Sequence, residues 1–327
     1  MTISPESYEY CELCPRKCHA DRRAGERGFC GMGPEAVLAR AMLHPWEEPG
    51  ITENGAPSGA VFFTGCTMQC IYCQNRKISD SGPRVVSDSG PGIPVGVPRT
   101  AEQMAQIFLR LQKEGASNID LVTPTHFLPD ITAALDLCRG ALTIPVVYNT
   151  GGYERAEVIR AAGPYMDYWL PDVKYFDDAL ALRYSRAPRY FETACEALAE
   201  MIAAAEKKAA DGGRPAKERV IVRHMVLPGQ KEDSIRILRE LADRFGTERF
   251  LISLMSQYTP QEEVPSPEAG KVPALTQANF PELFRRVTTY EYEKVVEEAL
   301  RLGFDGYRQD RTTAKKDYTP DFDLSGL

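Results

Sequence analysis

The feature that most constrains the fold is a repeated alternation of short apolar runs with amphipathic segments. Six runs rich in apolar and β-branched residues begin near residue 58, and each ends in a polar or glycine-containing loop. They span 59–66, 118–126, 143–152, 167–176, 218–229 and 249–260. Strands that alternate with helices form parallel βαβ units with right-handed connections. Six units are too few for an eight-stranded barrel, so we predict an α/β fold of the partial, TIM-like (β/α)6 type.

The segments between these runs carry helical periodicity. In the first, Thr100 and Gln103 form a capping box ahead of an apolar stripe, and Gly115 suits its end. Further helices are predicted at about 154–162, 178–209, 232–245 and 290–302. Chemistry in such folds gathers where the carboxyl ends of the strands meet. The polar loops after the six runs are therefore the expected site.

Composition narrows the class of protein. The 327 residues carry a net charge of −7 and no long basic run, which argues against nucleic-acid binding. No basic, apolar leader opens the chain, and no stretch of eighteen apolar residues suggests a membrane helix. We therefore expect a cytoplasmic protein without a membrane or nucleic-acid partner.

Three regions are predicted along the chain. Residues 1–57 form a small cysteine-rich, metal-binding module, 58–303 the partial barrel, and 304–327 a C-terminal extension. Two Gly-, Pro- or Ser-rich stretches, 79–99 and 259–277, are predicted to be flexible insertions.

Three of the nine cysteines follow the first predicted strand at the spacing C-x3-C-x2-C: Cys66, Cys70 and Cys73. An iron–sulfur cube normally takes four thiolates, so three can hold a [4Fe-4S] cluster and leave one iron open. S-adenosylmethionine (SAM) can fill that position through its amino and carboxylate groups. One electron from the cluster would then break a carbon–sulfur bond and release a 5′-deoxyadenosyl radical. Tyr72 is placed to pack on the adenine ring.

Two other interpretations fit the same loop. One is a three-cysteine zinc site completed by His126. The other is a cluster that only transfers electrons. The placement of the cysteines at a strand end favours the SAM interpretation over both.

A second cysteine group lies near the N-terminus: Cys11, Cys14, Cys18 and Cys30. Four thiolates within twenty residues suit a tetrahedral zinc, a rubredoxin-like site or a second [4Fe-4S] cluster. A zinc ion with four thiolates and an oxidised iron–sulfur cube carry similar negative charge. The nearby arginines and lysine would offset either charge, so they do not distinguish the metals. A module this small lacks a core of its own and would need such a metal to fold. The two lone cysteines, Cys138 and Cys195, lie on helical patterns and are expected to be buried apolar residues.

The chain resembles the radical SAM superfamily, and within it the branch that is similar to pyruvate formate-lyase activating enzyme and carries an N-terminal cysteine motif. The resemblance covers nearly the whole chain. It rests on CELCPRKC (11–18), GERGFCGMG (25–33), HPWEEP (44–49), FFTGCTMQCIYCQNRKIS (62–79), LVTPTHFLPDI (121–131), YNTGGYE (148–154), LPDVKY (170–175) and PDFDLSG (320–326).

The resemblance implies roles for residues at the strand ends. Activating enzymes end the second strand in Gly-Gly-Glu-Pro, which receives the SAM amino group, whereas this chain has a Thr-Pro-Thr-His sequence without the carboxylate. The residues implied to bind SAM or substrate are Thr123, Thr125, His126, Asn149, Thr150, Gly151, Gly152, Asp172, Lys174, Arg223 and His224. Each has a structural alternative: Asp172 and Lys174 would pair with each other, and Gly151-Gly152 would be only a turn. His44 is expected to be structural or to lie behind the site.

The expected activity is reductive cleavage of SAM followed by abstraction of a hydrogen atom. A flavodoxin or ferredoxin would supply the electron. The substrate is either a glycine of a partner enzyme, as the resemblance implies, or another protein, peptide or small molecule. An iron–sulfur electron-transfer or scaffold protein without SAM chemistry is the alternative from a different class.

Overall fold

A computed structural model describes residues 3–52, 55–79, 86–87, 90–91, 95–260, 262–263, 274–309 and 322–327. In this part of the chain the strands are β1 (Ala36–His44), β2 (Ser58–Phe63), β3 (Val86–Ser87), β4 (Gly90–Pro91), β5 (Val97–Arg99), β6 (Ile119–Val122), β7 (Val146–Thr150), β8 (Tyr168–Pro171), β9 (Ile221–Met225), β10 (Leu251–Met255) and β11 (Gly306–Arg308). The helices are α1 (Arg76–Ser79), α2 (Ala101–Lys113), α3 (Leu128–Cys138), α4 (Ala156–Ala162), α5 (Asp178–Ser185), α6 (Tyr190–Ala210), α7 (Lys231–Phe245) and α8 (Thr289–Leu302).

The predicted class, a mixed α/β fold with parallel strands, is confirmed. Each of the six apolar runs contains one strand, from β2 through β6, β7, β8 and β9 to β10. One sheet has the order β5-β1-β2-β6-β7-β8 and another the order β11-β10-β9. Pairing is parallel from β2 to β8 and from β9 to β11. Two parallel bridges, Trp169 with Val220 and Asp172 with Arg223, connect the sheets.

Strand register separates a face that packs on helices from a face that lines a cavity. Val61, Leu121 and Tyr148 lie side by side across β2, β6 and β7, and all belong to the main core. The next residue along each strand points the other way, because side chains alternate in a strand. These are Phe62, Val122 and Asn149, which line the cavity described below.

Strands beyond the six predicted ones extend both sheets. β1 pairs antiparallel with β2, and β11 pairs parallel with β10. Neither strand is marked by the sequence pattern. β1 lies within the predicted N-terminal module, and β11 lies beyond the predicted end of the barrel. Apart from the main core, a separate cluster of buried apolar side chains fills the interior toward the amino ends of the strands. It contains Ile51, Val147, Tyr168 and Ile221.

The single helix predicted at 178–209 is wrong, because two helices, α5 and α6, occupy this stretch. Arg186 and Arg189 adopt left-handed conformations at φ 50° and 51°, and Pro188 lies between them. A left-handed residue ends a helix and proline disfavours its continuation. The capping box of α2 is confirmed, since the Thr100 side chain accepts from the Gln103 amide.

Several sequence features fall outside the described residues. Most of the 79–99 insertion, much of 259–277, and residues 310–321 of the tail belong to this group. Among the described residues, no helix combines the length and apolar character needed to cross a lipid bilayer.

Candidate active site

A cavity of about 560 Å³ opens at the carboxyl ends of the parallel strands. Its volume lies within the range of ordinary ligand pockets. The predicted site residues that line it are Cys66, Cys70, Tyr72, Cys73, Thr123, Asn149, Thr150, Gly151, Asp172, Lys174 and Arg223. The fold thus brings the cysteine loop and residues from four following strand ends to one cavity.

The cysteine loop follows β2 directly and is held by local hydrogen bonds. The backbone N–H of Met68 donates to Cys66 Sγ at 3.3 Å, and the N–H of Cys73 donates to the Cys70 carbonyl at 3.0 Å. Burial raises the pKa of the Cys66 thiol to about 12. A thiol with so high a pKa keeps its proton near neutral pH and must lose it to bind a metal. The positive charge of the bound metal then compensates the buried thiolate.

A network of buried charges forms one wall of the cavity. Arg223 Nε donates to Asp172 Oδ1 at 2.9 Å and a terminal nitrogen of Arg223 donates to Asn149 Oδ1 at 2.5 Å. Lys174 also donates to Asp172. Burial raises the pKa of Asp172, but the charges of Arg223 and Lys174 outweigh it and hold that pKa below its usual value. Asp172 is therefore an anion with two cationic partners.

This network agrees with the structural alternative for Asp172 and Lys174, since the two side chains do pair. Both also line the cavity, so pairing does not remove them from a ligand's reach. The Asp172 carboxylate can also accept from ligand hydroxyl groups, and its two cationic partners can donate to a ligand carboxylate. The pair is thus structural and accessible at once.

Two acidic residues that follow β1 also belong to the cavity, although no sequence motif assigns them to the site. Glu47 and Glu48 line the cavity together with Trp46, whose side chain is 57% exposed. Ser253 on β10 donates to Glu48 at 2.8 Å. Burial, followed by the nearby charge of Glu47, raises the pKa of Asp120 well above its usual value. The segment HPWEEP supports the family resemblance, but nothing in its local pattern indicates that Glu48 contacts Ser253 of β10.

His44 is buried and lines the same cavity. Burial lowers the pKa of its imidazole, and the carboxylate of Glu47, 3.9 Å from Nε2, opposes that shift. Tyr258 and Gln257, from the loop after β10, and Gln309, after β11, complete the lining. These residues come from distant parts of the chain, so spacing in the sequence does not connect them to the cysteine loop.

Four predicted cofactor-binding residues lie outside the cavity lining: Thr125, His126, Gly152 and His224. Thr125 donates to Glu154 at 2.7 Å, and His126 Nε2 bonds to the Thr64 carbonyl at 2.7 Å. His224 Nδ1 bonds to the Val173 carbonyl at 2.6 Å. His224 differs from the expectation because it alternates with Arg223 and Met225, which face the cavity.

Both of these histidines are neutral at ordinary pH. Burial lowers the pKa of His126 to about 3 and that of His224 to about 4. His126 was also the fourth ligand in the zinc alternative. Its Nε2 instead bonds to the Thr64 carbonyl, which places it behind the cysteine loop rather than beside it.

The N-terminal cysteines lie in a compact, turn-rich segment. Cys11, Cys14 and Cys30 are buried, and Cys18 is exposed. The N–H of His19 donates to the Cys11 carbonyl at 3.1 Å, which folds the chain back on itself. A Cβ added to Gly28 would lie 2.3 Å from Cys18 Sγ, so glycine permits this close approach.

The fold and this cavity define an α/β protein with three thiols at the carboxyl ends of parallel strands. A family model described as the radical SAM superfamily matches residues 60–242. The chain belongs to the radical SAM superfamily, whose members are enzymes that use a [4Fe-4S] cluster and SAM.

Similar proteins add no narrower description. An uncharacterized protein of Methanocaldococcus jannaschii is 26% identical over 308 residues, which is 93% of this chain and 78% of that protein. Structures of Streptococcus suis SuiB bound to SAM and to the precursor peptide SuiA are 13% and 11% identical, with TM-scores of 0.41 and 0.39. Each covers 75% of this chain, which spans 48% and 46% of those SuiB chains, about half their length.

The residues present fit the cofactors that the superfamily implies. Cys66, Cys70 and Cys73 supply three thiols at one end of the cavity. Across the described residues, no three His, Cys, Asp or Glu side chains are close enough to coordinate one metal ion. A [4Fe-4S] cube does not require this, because each thiolate ligates a different iron. Gly151 leaves a cradle beside this loop, because an added Cβ would lie 2.7 Å from Met68 Sδ.

We expect Gly152→Ala to destabilise the protein by roughly 2–4 kcal/mol. Gly152 has φ +82°, and an added Cβ would lie 2.0 Å from the Asp172 carbonyl oxygen. Gly115→Ala is a matched control, since Gly115 has φ +97° with nothing within 4 Å of an added Cβ. Thermal unfolding of both variants separates the backbone strain from the collision. Equal losses in the two variants would show that Asp172 moves aside without cost.

Proposed function

We propose that the chain reductively cleaves SAM at a [4Fe-4S] cluster held by Cys66, Cys70 and Cys73, and acts as an oxidoreductase that abstracts hydrogen from a substrate. The observation that supports this most is the position of the three thiols at one end of a strand-end cavity of about 560 Å³. When bound, the cluster supplies one electron to SAM and so generates the 5′-deoxyadenosyl radical. A flavodoxin or ferredoxin provides that electron.

In this proposal, residues of the cavity wall bind four parts of SAM: the ribose, the carboxylate, the amino group and the adenine. Asp172 accepts from ribose hydroxyls, and Lys174 and Arg223 face the SAM carboxylate. The backbone and side chains of Thr123, Asn149 and Thr150 accept from its amino group. These acceptors replace the carboxylate of the missing Gly-Gly-Glu-Pro motif. Tyr72 packs on the adenine. Thr125, His126, Gly152 and His224 hold these elements from behind rather than contact SAM.

The same proposal assigns the architecture and the branch. The two bridged sheets form a partial (β/α)6 barrel, and the chain belongs to the cytoplasmic group that is similar to pyruvate formate-lyase activating enzyme. Cys11, Cys14, Cys18 and Cys30 bind a second metal, zinc or an iron–sulfur cluster. Three of these thiols are buried. This burial favours a metal that stabilises the fold over a metal that exchanges its ligands with solvent.

The substrate reaches the cavity past Trp46, Glu47 and Glu48. An exposed indole beside two carboxylates suits a protein or peptide substrate, since it offers a stacking surface with hydrogen-bond acceptors. A glycine of a partner enzyme, as in glycyl-radical activation, and another peptide position are both consistent with this surface.

The decisive experiment is anaerobic reconstitution of the full chain, followed by reduction with dithionite and addition of SAM. We expect the electron paramagnetic resonance (EPR) spectrum of the reduced cluster to change on adding SAM, and 5′-deoxyadenosine to form. A fully loaded cluster whose spectrum ignores SAM and which yields no 5′-deoxyadenosine would overturn the proposal. The electron-transfer alternative would then take its place.

A further inference from the structure

Ser185, the last residue of α5, contacts the cysteine loop. Its Oγ donates a hydrogen bond to Cys70 Sγ at 2.9 Å. Ser185 is fully buried, with 0% of its surface exposed, so water does not compete for this bond. Ser185 and Cys70 are 115 residues apart in the sequence, which is why no motif connects them.

Two tyrosines extend this bond into a chain of hydroxyl groups. Tyr175 Oη lies 2.7 Å from Ser185 Oγ, and Tyr72 Oη lies 2.5 Å from Tyr175 Oη. Because the Ser185 hydrogen points at sulfur, Ser185 Oγ accepts from Tyr175, which in turn accepts from Tyr72. Successive bonds in such a chain polarise one another, so the last donor is stronger than an isolated hydroxyl.

The backbone around Ser185 is fixed by Arg16 of the N-terminal cysteine segment. Arg16 donates to the Ser185 carbonyl at 3.0 Å and to the Thr67 carbonyl, in the cysteine loop, at 2.8 Å. Its guanidinium also lies 3.7 Å from the Phe29 ring centroid. Arg16 lies between Cys14 and Cys18, so one side chain connects the N-terminal cysteine segment with Ser185 and with the loop that carries Cys70.

A second contact joins the two cysteine segments. Gln69, inside the C-x3-C-x2-C loop, donates to the Phe29 carbonyl at 2.8 Å. Arg186, next to Ser185, donates to Gln69 Oε1 at 2.6 Å. The N-terminal segment, the end of α5 and the cysteine loop are thus one hydrogen-bonded unit.

We propose that Ser185 tunes the reduction potential of the cluster through its hydrogen bond to Cys70, with Arg16 as the positioning residue that holds the bond in place. The inference rests on the proposed role of Cys70 as a cluster ligand. Hydrogen bonds to cluster sulfurs are one of the means by which proteins set potentials. A donor stabilises the more negative, reduced cluster, so Ser185 makes the cluster easier to reduce.

The test is an EPR-monitored redox titration of the reconstituted cluster without SAM. Ser185→Ala is expected to lower the ratio of reduced to oxidised cluster roughly tenfold at a fixed potential, which is about 59 mV for one electron. Ser185→Thr keeps the hydroxyl and should retain most of the wild-type potential. An unchanged potential in Ser185→Ala, with normal iron content, would overturn the inference.

Two further variants keep the inference testable if Ser185→Ala fails to load iron. Tyr175→Phe removes the hydroxyl that polarises Ser185 without touching Cys70, and Arg16→Lys keeps charge but loses the multiple carbonyl contacts. Both should shift the potential in the same direction by a smaller amount. Arg23→Ala is the control, because exposed Arg23 pairs with Glu9 at 2.8 Å. Wild-type potentials in Tyr175→Phe and Arg16→Lys would contradict the role assigned to this hydrogen-bond chain.

These readouts separate this inference from the proposed function. If wild type binds no [4Fe-4S] cluster or ignores SAM, the proposed function fails. If wild type loads a cluster and cleaves SAM while the Ser185 and Tyr175 variants keep its potential, only the present inference fails.

Discussion

Cys70→Ala is expected to lose cluster binding and to lower 5′-deoxyadenosine formation by more than about a hundredfold. With two thiolates left, the loop cannot supply the three ligands that a cube with one open iron requires. Cys70 also accepts the Ser185 hydrogen bond, so its loss leaves a buried hydroxyl without its acceptor. Iron content, the visible absorption of the cluster and 5′-deoxyadenosine are measured on the same anaerobic sample.

Cys138→Ala is the matched control for this variant. Cys138 is 2% exposed at the end of α3, and its thiol donates only to helix carbonyls, Ala134 at 3.2 Å and Leu135 at 3.7 Å. We expect it to lower stability modestly and to leave iron content unchanged. If Cys70→Ala kept a full cluster and wild-type SAM cleavage, Cys70 would not be a ligand.

The sequence predicts the strands well because each is marked on its own. Runs of β-branched residues bounded by polar loops identify β2 and the five parallel strands after it without tertiary information. β1 was missed although it spans nine residues, because its sequence AVLARAMLH also fits a helix. Its pairing with β2 decides the structure, and a pairing partner is not a local property.

The candidate site was predictable only where motif and position coincide. The cysteine loop and Asp172 follow recognisable strand ends, so spacing is enough to bring them together. Glu48 reaches Ser253 across 205 residues, and Ser185 reaches Cys70 in the same manner. Contacts of this kind depend on how helices and loops return to the cavity, which no periodicity records. His224 was predicted to bind SAM or substrate, but it lies outside the cavity lining. A position at a strand end does not indicate on which face of the sheet the side chain lies.

Arg223→Met is expected to lower the free energy of unfolding by about 3–5 kcal/mol, the usual cost of removing one partner of a buried ion pair. Arg223 and Asp172 are each 15% exposed, and Arg223 also donates to Asn149. The variant leaves Asp172 with Lys174 as its remaining cation. Anaerobic unfolding of the reconstituted protein measures the loss.

Arg244→Met serves as the control, because Arg244 also pairs with a carboxylate, Glu192, at 2.7 Å, but at exposures of 34% and 50%. Exposed pairs of this kind contribute about 0–1 kcal/mol. A similar loss in both variants would show that the Arg223 pair behaves as a surface pair despite its place in the cavity wall.

The loss in Arg223→Met should also depend on pH with a defined sign. The pKa of Asp172 is lowered in the folded protein, so its pairing stabilises above the unfolded value near 3.8 and is lost as pH falls through the folded pKa. Without Arg223, the pKa of Asp172 rises, and that of Asp120, already raised by burial and then by Glu47, rises further. Ionising either carboxyl group therefore costs more in the variant than in wild type. The deficit of the variant should shrink as pH falls through the raised pKa values of these two groups, whereas a pH-independent deficit would mean that Arg223 acts by packing rather than by charge.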